Sequence, residues 1–281
     1  MQVAQSETTK AAVRKFWGTC PCGVTHSAAP AGSHEFFRET EEHRFSIHTD
    51  WDRPFLKEAV AFERYHGKRV LEVGCGIGVD ALQWAKSNNS VVALDYNMPS
   101  CRITRDRFED AGARGAYING DAENLPFPDA SFDIVYSFGV LHHTPGTEKA
   151  IREVHRCVKP GGKAIIMLYY RWSAMVWGEV VWGCGIRRGG LWKAGSMAEV
   201  LSRYTEWDSQ ASGNVNPLTK AYSKREIRRM FRPFRGVEIE LHYLWPGHFG
   251  PLRRLLPMVP ASLKRRLPGV FGFNAVIEAT K

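Results

Sequence analysis

Arg69-Val70-Leu71-Glu72-Val73-Gly74-Cys75-Gly76-Ile77-Gly78 is the stretch on which the fold of this chain turns. A short apolar run reading as a buried strand passes into a glycine loop, and a helical pattern over residues 79–86 follows. Such a loop lets backbone approach a ligand closely, and the helix start behind it is electropositive. Gly74, Gly76 and Gly78 give G-x-G-x-G, while Val79 stands where a dinucleotide fingerprint wants Gly or Ala, which argues against NAD or FAD. Seventeen residues past Gly78, Asp95 ends the next apolar run, where a carboxylate can accept from both ribose hydroxyls. The loop alone is also compatible with a tight turn that binds nothing.

Downstream, strand-like and helix-like segments alternate. Strands are expected at 91–95, 116–119, 133–137 and 163–168. Helices are expected from Pro99, a favoured helix-start residue, to Gly112, and at 147–158, where Ala150, Ile151, Val154, Cys157 and Val158 recur with helical period. Lys159-Pro160-Gly161-Gly162 reads as a turn. Alternation of this kind implies a doubly wound parallel α/β sheet. After residue 169 it stops. An aromatic, glycine-punctuated insert (roughly 170–216) leads to a basic helix at 223–231, and 237–244 and 274–279 look like two closing strands. The expectation is therefore a seven-stranded Rossmann-like sheet with a cap inserted after strand five. Upstream, Pro21, Pro30 and Pro54 break a polar, helix-prone stretch, read as a lid over residues 1–66. The core then spans 67–169, the cap 170–235, and the closing strands with a basic, apolar connection 236–281.

Charge and aromatics follow this division. The 281 residues carry a formal net charge of +9, and the excess of Lys and Arg falls after residue 160. Six of the nine tryptophans (Trp172, Trp177, Trp182, Trp192, Trp207, Trp245) lie there too. Such a half could meet an anionic small molecule, an anionic membrane surface or nucleic acid. The start of the chain lacks a basic region followed by an apolar run, so no secretory signal is expected. The most apolar stretch, 164–186, is broken by Arg171 and Glu179. Six scattered cysteines fit a reducing cytoplasm better than a disulfide framework.

Four ordered motifs carry a resemblance. Residues 71–78 resemble the first motif of class I S-adenosylmethionine-dependent methyltransferases. Gly120-Asp121-Ala122-Glu123-Asn124-Leu125-Pro126-Phe127 is similar to their acidic loop after strand three. Ser131-Phe132-Asp133-Ile134-Val135-Tyr136 with Val140-Leu141-His142-His143, and then Val158-Lys159-Pro160-Gly161-Gly162, complete the set. The match is to the UbiE-like (type 11) group, which includes quinone, sterol and other small-molecule enzymes, and it covers residues 68–168. The resemblance implies S-adenosylmethionine as cofactor and S-adenosylhomocysteine as product. It implies Asp95 on the ribose, with Tyr96 or Asn97 beside the adenosine. Asp121 is expected at the adenine amino group, and Ala122 and Glu123 beside the ring. Glu72 and the loop Gly74, Cys75, Gly76 and Gly78 would flank the methionine end, with Ser137, Phe138 and Gly139 as the floor beneath the sulfonium. Asp121 could instead be a turn residue, and Asp80 a first-turn helix charge.

Methyl transfer from a sulfonium is an in-line displacement whose leaving group needs no acid, so the protein chiefly aligns donor and acceptor. A base is required only where the acceptor must lose a proton. His142, His143, Tyr169 and Tyr170 are the candidates, following strands four and five; the two histidines can equally be a structural pair. Cys20-Pro21-Cys22 with His26 and His34 lacks a second spaced pair, so a turn in the lid is read in preference to a metal site. Cys75 reads as a packing residue. For the acceptor, Arg171, Trp172, Trp177 and Tyr222 are expected to contribute. Aromatic residues with Arg225, Arg228, Arg229, Arg232 and the cluster Arg253, Arg254, Lys264, Arg265, Arg266 suit a lipid-like acceptor, with an anionic head or none. They also suit transient contact of a cytoplasmic protein with an anionic bilayer. No RNA-binding module is legible. The alternatives are a cofactor-binding protein of this fold with a non-methylating or regulatory role, or an RNA methyltransferase.

Overall fold

Seven strands form one sheet: β1 (Arg69–Val73), β2 (Ser90–Asp95), β3 (Ala116–Asn119), β4 (Phe132–Phe138), β5 (Val158–Tyr169), β6 (Arg235–His242) and β7 (Asn274–Thr280). In the computed structural model, which describes residues 2–19, 21–51, 53–190, 197–205 and 216–281, they lie in the order β3-β2-β1-β4-β5-β7-β6. The first five are parallel, and β7 runs antiparallel to both β5 and β6. The strand order reverses between β1 and β4, so their carboxyl ends open a crevice of the kind where α/β sheets bind ligands.

The helices are α1 (Gln2–Thr19), α2 (His34–Ile47), α3 (Leu56–Val60), α4 (Val79–Lys86), α5 (Met98–Asp110), α6 (Thr147–Cys157), α7 (Met197–Tyr204) and α8 (Lys224–Met230). Period-two alternation in the strands feeds two apolar layers. Leu71, Val135, Ile166 and Leu168 face Ala150, Ile151 and Val154 of α6 and Ile227 and Met230 of α8. Val70, Ile134, Tyr136 and Ile165 face Leu82 and Trp84 of α4, Phe108 of α5 and Leu56 of α3. With side chains such as Leu71 fully buried, each contributes on the order of 1.5–3 kcal/mol. That burial is what makes the sheet doubly wound.

Where sequence and structure differ, local geometry gives the reason. Lys159–Gly162 is no separate turn but a bulge inside β5. Phe132 pairs with Val158 and Ile134 already with Lys163, so the intervening residues loop out, with Gly161 at φ +76°. In the insert, Met175–Arg187 is a π-helix. Helix α8 starts one residue late because Ser223 caps it, in a reciprocal capping box with Glu226. The lid stretch contains α1 and α2, separated by Pro21 and Pro30 as expected. Cys20, Trp192 and Trp207 lie outside the described residues. Among the described residues no helix is long and apolar enough to cross a membrane.

Candidate functional site

The crevice at the strand ends is a cavity of about 810 Å³, toward the upper end of the roughly 300–1,000 Å³ usual for small-molecule sites. One end is walled by the glycine loop. Gly74 (φ +83°) packs its backbone directly against Val140, where no side chain fits, while Gly76 (φ +55°) has open space beside it. Glu72 is buried on the same wall, and its Oε2 has no hydrogen-bond partner. Burial, reinforced by Asp80, pushes its carboxyl well above the ordinary range. Asp95 accepts the N–H groups of Gly76 (3.0 Å) and Asn97 (2.8 Å). Even so, burial raises its pKa to about 6.

Asp121, on the wall beside Ala122, is held by Lys10 of α1 at 2.7 Å, and the same ammonium reaches Glu123 at 2.9 Å. The first helix is thus pinned across the acidic loop. Glu123 also accepts from the Thr144 hydroxyl and from the Gly146 N–H. Burial opposes its ionisation, but these donors hold its carboxyl below the usual range. Tyr96, further along the wall, lies under the Arg14 guanidinium at 5.3 Å.

A buried ionic cluster supports this end. Arg44 of α2 grips Asp80 through Nε (3.1 Å) and Nη2 (2.6 Å), and the Tyr136 hydroxyl donates to the same carboxylate at 2.7 Å. Burial alone would raise Asp80; Arg44 and Tyr136 overcome that and hold it low. Asp80 does sit in the first turn of α4, but it is a buried tie to the lid rather than a surface charge. Neighbouring His48 is kept neutral, its pKa lowered to about 3 by burial and then by Arg44. Arg44 carries no local signal in the sequence because its partner Asp80 comes from a distant segment.

The far end is lined by Met167, Tyr169, Met175, Tyr243 and Phe273, with Tyr169 stacked on Phe273 at 4.1 Å. Tyr243 sits at φ +68°, a conformation that costs a side-chain-bearing residue on the order of 1 kcal/mol. Asp50 restrains it, accepting the Tyr243 N–H at 2.7 Å and contacting His242 Nδ1 at 2.8 Å. Two polar side chains share this wall. His248, 1% exposed, has an unpartnered Nδ1 and places Nε2 3.9 Å from the Glu179 carboxylate. Burial lowers the His248 pKa to about 3 and raises that of Glu179. Neither residue stands in a motif, so no local pattern marks them.

Of the expected contacts, Glu72, Gly74, Cys75, Gly76, Asp95, Tyr96, Asn97, Asp121, Ala122, Phe138 and Gly139 line the cavity, as do His143 and Tyr169. Gly78, Glu123 and Ser137 do not: Gly78 caps α4 against Thr104, Glu123 clamps the loop, and the Ser137 hydroxyl donates to the Val73 carbonyl. His142 is sealed beneath Tyr169 with both ring nitrogens unpartnered; burial, then His143, drives its pKa well below the usual value. The proposed acceptor contacts are also elsewhere. Tyr170 bridges to Tyr222, whose hydroxyl donates to Thr147; Arg171 pairs with Glu226 at 3.0 Å. Trp172 and Trp177 stack on each other at 5.5 Å on the outer surface. For Tyr170 strand alternation is the reason: Tyr169 points to the cavity and its successor to the opposite face. His26 stacks on His43 while His34 pairs with Asp110, so the two do not converge with Cys22. Among the described residues no group of three His, Cys, Asp or Glu is placed to hold a metal ion.

A family model for a methyltransferase domain matches residues 71–166. Over that stretch the chain is similar to a methyltransferase domain. Among sequence relatives, the ubiquinone/menaquinone biosynthesis C-methyltransferase UbiE of Azotobacter vinelandii is 34% identical over 140 residues, 48% of this chain and 54% of that one. The corresponding Yersinia enterocolitica protein is 35% identical over 129 residues, 44% and 50%. The chain spans about half the length of these relatives. The fold of the chain is similar to that of an S-adenosylmethionine-dependent methyltransferase from Thermotoga maritima (TM-score 0.53, 18% identity, 96% of this chain and 99% of that one). The cyclase SpnF shares it too (0.51, 18%, 99% and 94%). S-adenosylmethionine is the cofactor of this group, and the residues fit it. A buried carboxylate oxygen lacking a donor, at Glu72, and the open backbone at Gly76 suit a cationic, hydroxyl-rich ligand better than a phosphate.

Proposed function

We propose that this methyltransferase moves a methyl group from S-adenosylmethionine to a carbon of a small, apolar, lipid-like acceptor. What carries the reading is the polarity of the cavity: a glycine loop with buried carboxylates at one end, and thioether and aromatic side chains at the other. The relatives' description as C-methyltransferases supports carbon as the target. Bound there, the cofactor supplies an electrophilic methyl group. Asp95 and Asp121 would fix the nucleoside and Glu72 would offset positive charge. Met167, Tyr169 and Phe273 would exclude water from the transfer path.

His248 and Glu179 suggest what else the acceptor bears. Their 3.9 Å separation is too long for a hydrogen bond, yet one hydroxyl oxygen can lie about 2.8 Å from both. The Glu179 carboxylate, whose proton affinity burial raises, can take the proton of that hydroxyl while His248 orients it, leaving electron density on a conjugated carbon for attack on the methyl group. An enol or phenol is the acceptor class that meets these terms.

Calorimetry should show one site for S-adenosylmethionine and for S-adenosylhomocysteine. Incubation with methyl-labelled cofactor and cell extract, followed by separation into polar metabolites, lipids and RNA, should place label in the lipid or apolar fraction. Label confined to RNA would sink the proposal. Stoichiometric binding without transfer to any fraction would favour a protein that uses the fold for other work.

A further inference from the structure

Eleven of the thirteen large apolar side chains left exposed among the described residues lie between positions 172 and 271. Two of the segments that carry them touch. The π-helix Met175–Arg187 and the 3₁₀ segment Pro246–Met258 meet where Gly178 packs against the backbone of His248 and Phe249, and Gly250 against the Trp182 ring. Trp177, Trp182, Leu252, Leu255 and Met258 emerge from them, Met258 being 81% exposed. Between positions 245 and 273 there is no acidic residue, while Arg253, Arg254, Lys264, Arg265 and Arg266 are all present. None of these five has an ion-pair partner among the described residues, although salt bridges are common elsewhere on the surface. The Trp51 indole donates to the Lys264 carbonyl at 2.7 Å, which ties the basic turn to the body of the protein.

We propose that this face is a docking surface for an anionic lipid bilayer. Aliphatic and tryptophan side chains beside uncompensated Lys and Arg are the composition that partitions into a headgroup region. A second copy of the chain is disfavoured, because the patch would meet its own unpaired positive charge. Nucleic acid fits less well, since most of the exposed apolar groups at 252–270 are aliphatic and offer no ring on which a base can stack. The same two segments supply Met175, Glu179 and His248 to the cavity wall, so docking brings the acceptor end next to lipid. That last consequence rests on the acceptor proposed above; the docking itself does not.

Sedimentation of the full chain with vesicles tests the docking without any substrate. Binding is expected to vesicles of phosphatidylcholine containing phosphatidylglycerol, falling at high salt, and not to phosphatidylcholine alone. Arg253→Ala with Arg254→Ala should weaken it by about 25-fold, at roughly fivefold per basic residue. Leu255→Ser with Met258→Ser should weaken it comparably while leaving S-adenosylhomocysteine affinity unchanged, which shows that the variant is folded. Equal binding to both vesicle types, or to neither, would overturn the proposal. So would a wild-type dimer that the Leu255→Ser, Met258→Ser pair dissolves, or tighter binding to polyuridylate than to the anionic vesicles.

Discussion

At the donor end of the cavity, Glu72, Gly74, Gly76 and Asp95 come from one strand–loop–helix–strand unit, fixed by the parallel pairing of β1 with β2. At the acceptor end, Tyr169, Met175, Tyr243, His248 and Phe273 come from as many separate segments. The first end is built by local chain geometry on a sheet whose interior side chains are almost wholly buried. The second is assembled by a cap whose outer surface leaves Trp172, Trp177 and Trp182 in solvent. A local unit does not depend on contacts with the cap, so one fold can hold one cofactor beside different acceptor sites.

Breaking the buried tie beneath the donor end should have the largest effect. Asp80→Ala leaves Arg44 uncompensated and removes the acceptor for Tyr136, so chemical denaturation should show a loss of about 3–5 kcal/mol. A loss below about 1 kcal/mol would mean that α2 is not anchored through this pair. Next is Asp95→Ala, expected to weaken S-adenosylhomocysteine by on the order of 100-fold, the worth of two hydroxyl hydrogen bonds to a charged group. Met175→Ala, at the opposite end, should leave that affinity unchanged and raise KM for the acceptor. If both variants changed cofactor affinity alike, the two ends would not be separate.

Acidity sharpens the same contrast. In the proposed cofactor site the ribose hydroxyls would favour ionised Asp95, whose pKa burial lifts to about 6. Cofactor affinity should therefore be level above pH 7 and fall by at most about tenfold per unit below pH 6. For folding the sign is reversed. A raised carboxylate pKa means that the folded state binds the extra proton, so this group's contribution to stability declines as pH rises from about 4 to about 6. An Asp95→Asn variant that kept the full acid dependence of cofactor binding would assign it to Glu72 instead. The smallest effect is expected at Trp172, half exposed and stacked on Trp177. Trp172→Ala should cost less than about 1 kcal/mol and change neither cofactor affinity nor KM.

The order of strands and helices from β1 to β5 was legible in the chain because buried strands must be apolar and glycine must stand where φ turns positive. Gly74, Asp95 and Asp121 were legible as candidates because each stands at or just past the end of a strand marked by its own apolar run. Trp172 and Trp177 were misread because composition says that a segment is aromatic, not which way a side chain faces after a strand ends. Glu179 and His248 gave no signal, being ordinary residues in segments without a repeating pattern. His142 looked chemical beside His143, yet one lies beneath Tyr169 and the other on the cavity wall.

By itself, then, the sequence determined the sheet, the glycine loop and the carboxylates that flank it, since period-two burial and turn geometry act over a few residues. Only the tertiary structure decided that Arg44 meets Asp80, that Lys10 spans Asp121 and Glu123, and that Tyr243, His248 and Phe273 close one cavity with Tyr169. Those contacts join residues tens to hundreds of positions apart. No local propensity encodes them; they follow from how the cap and the first helices bury their apolar faces against the finished sheet.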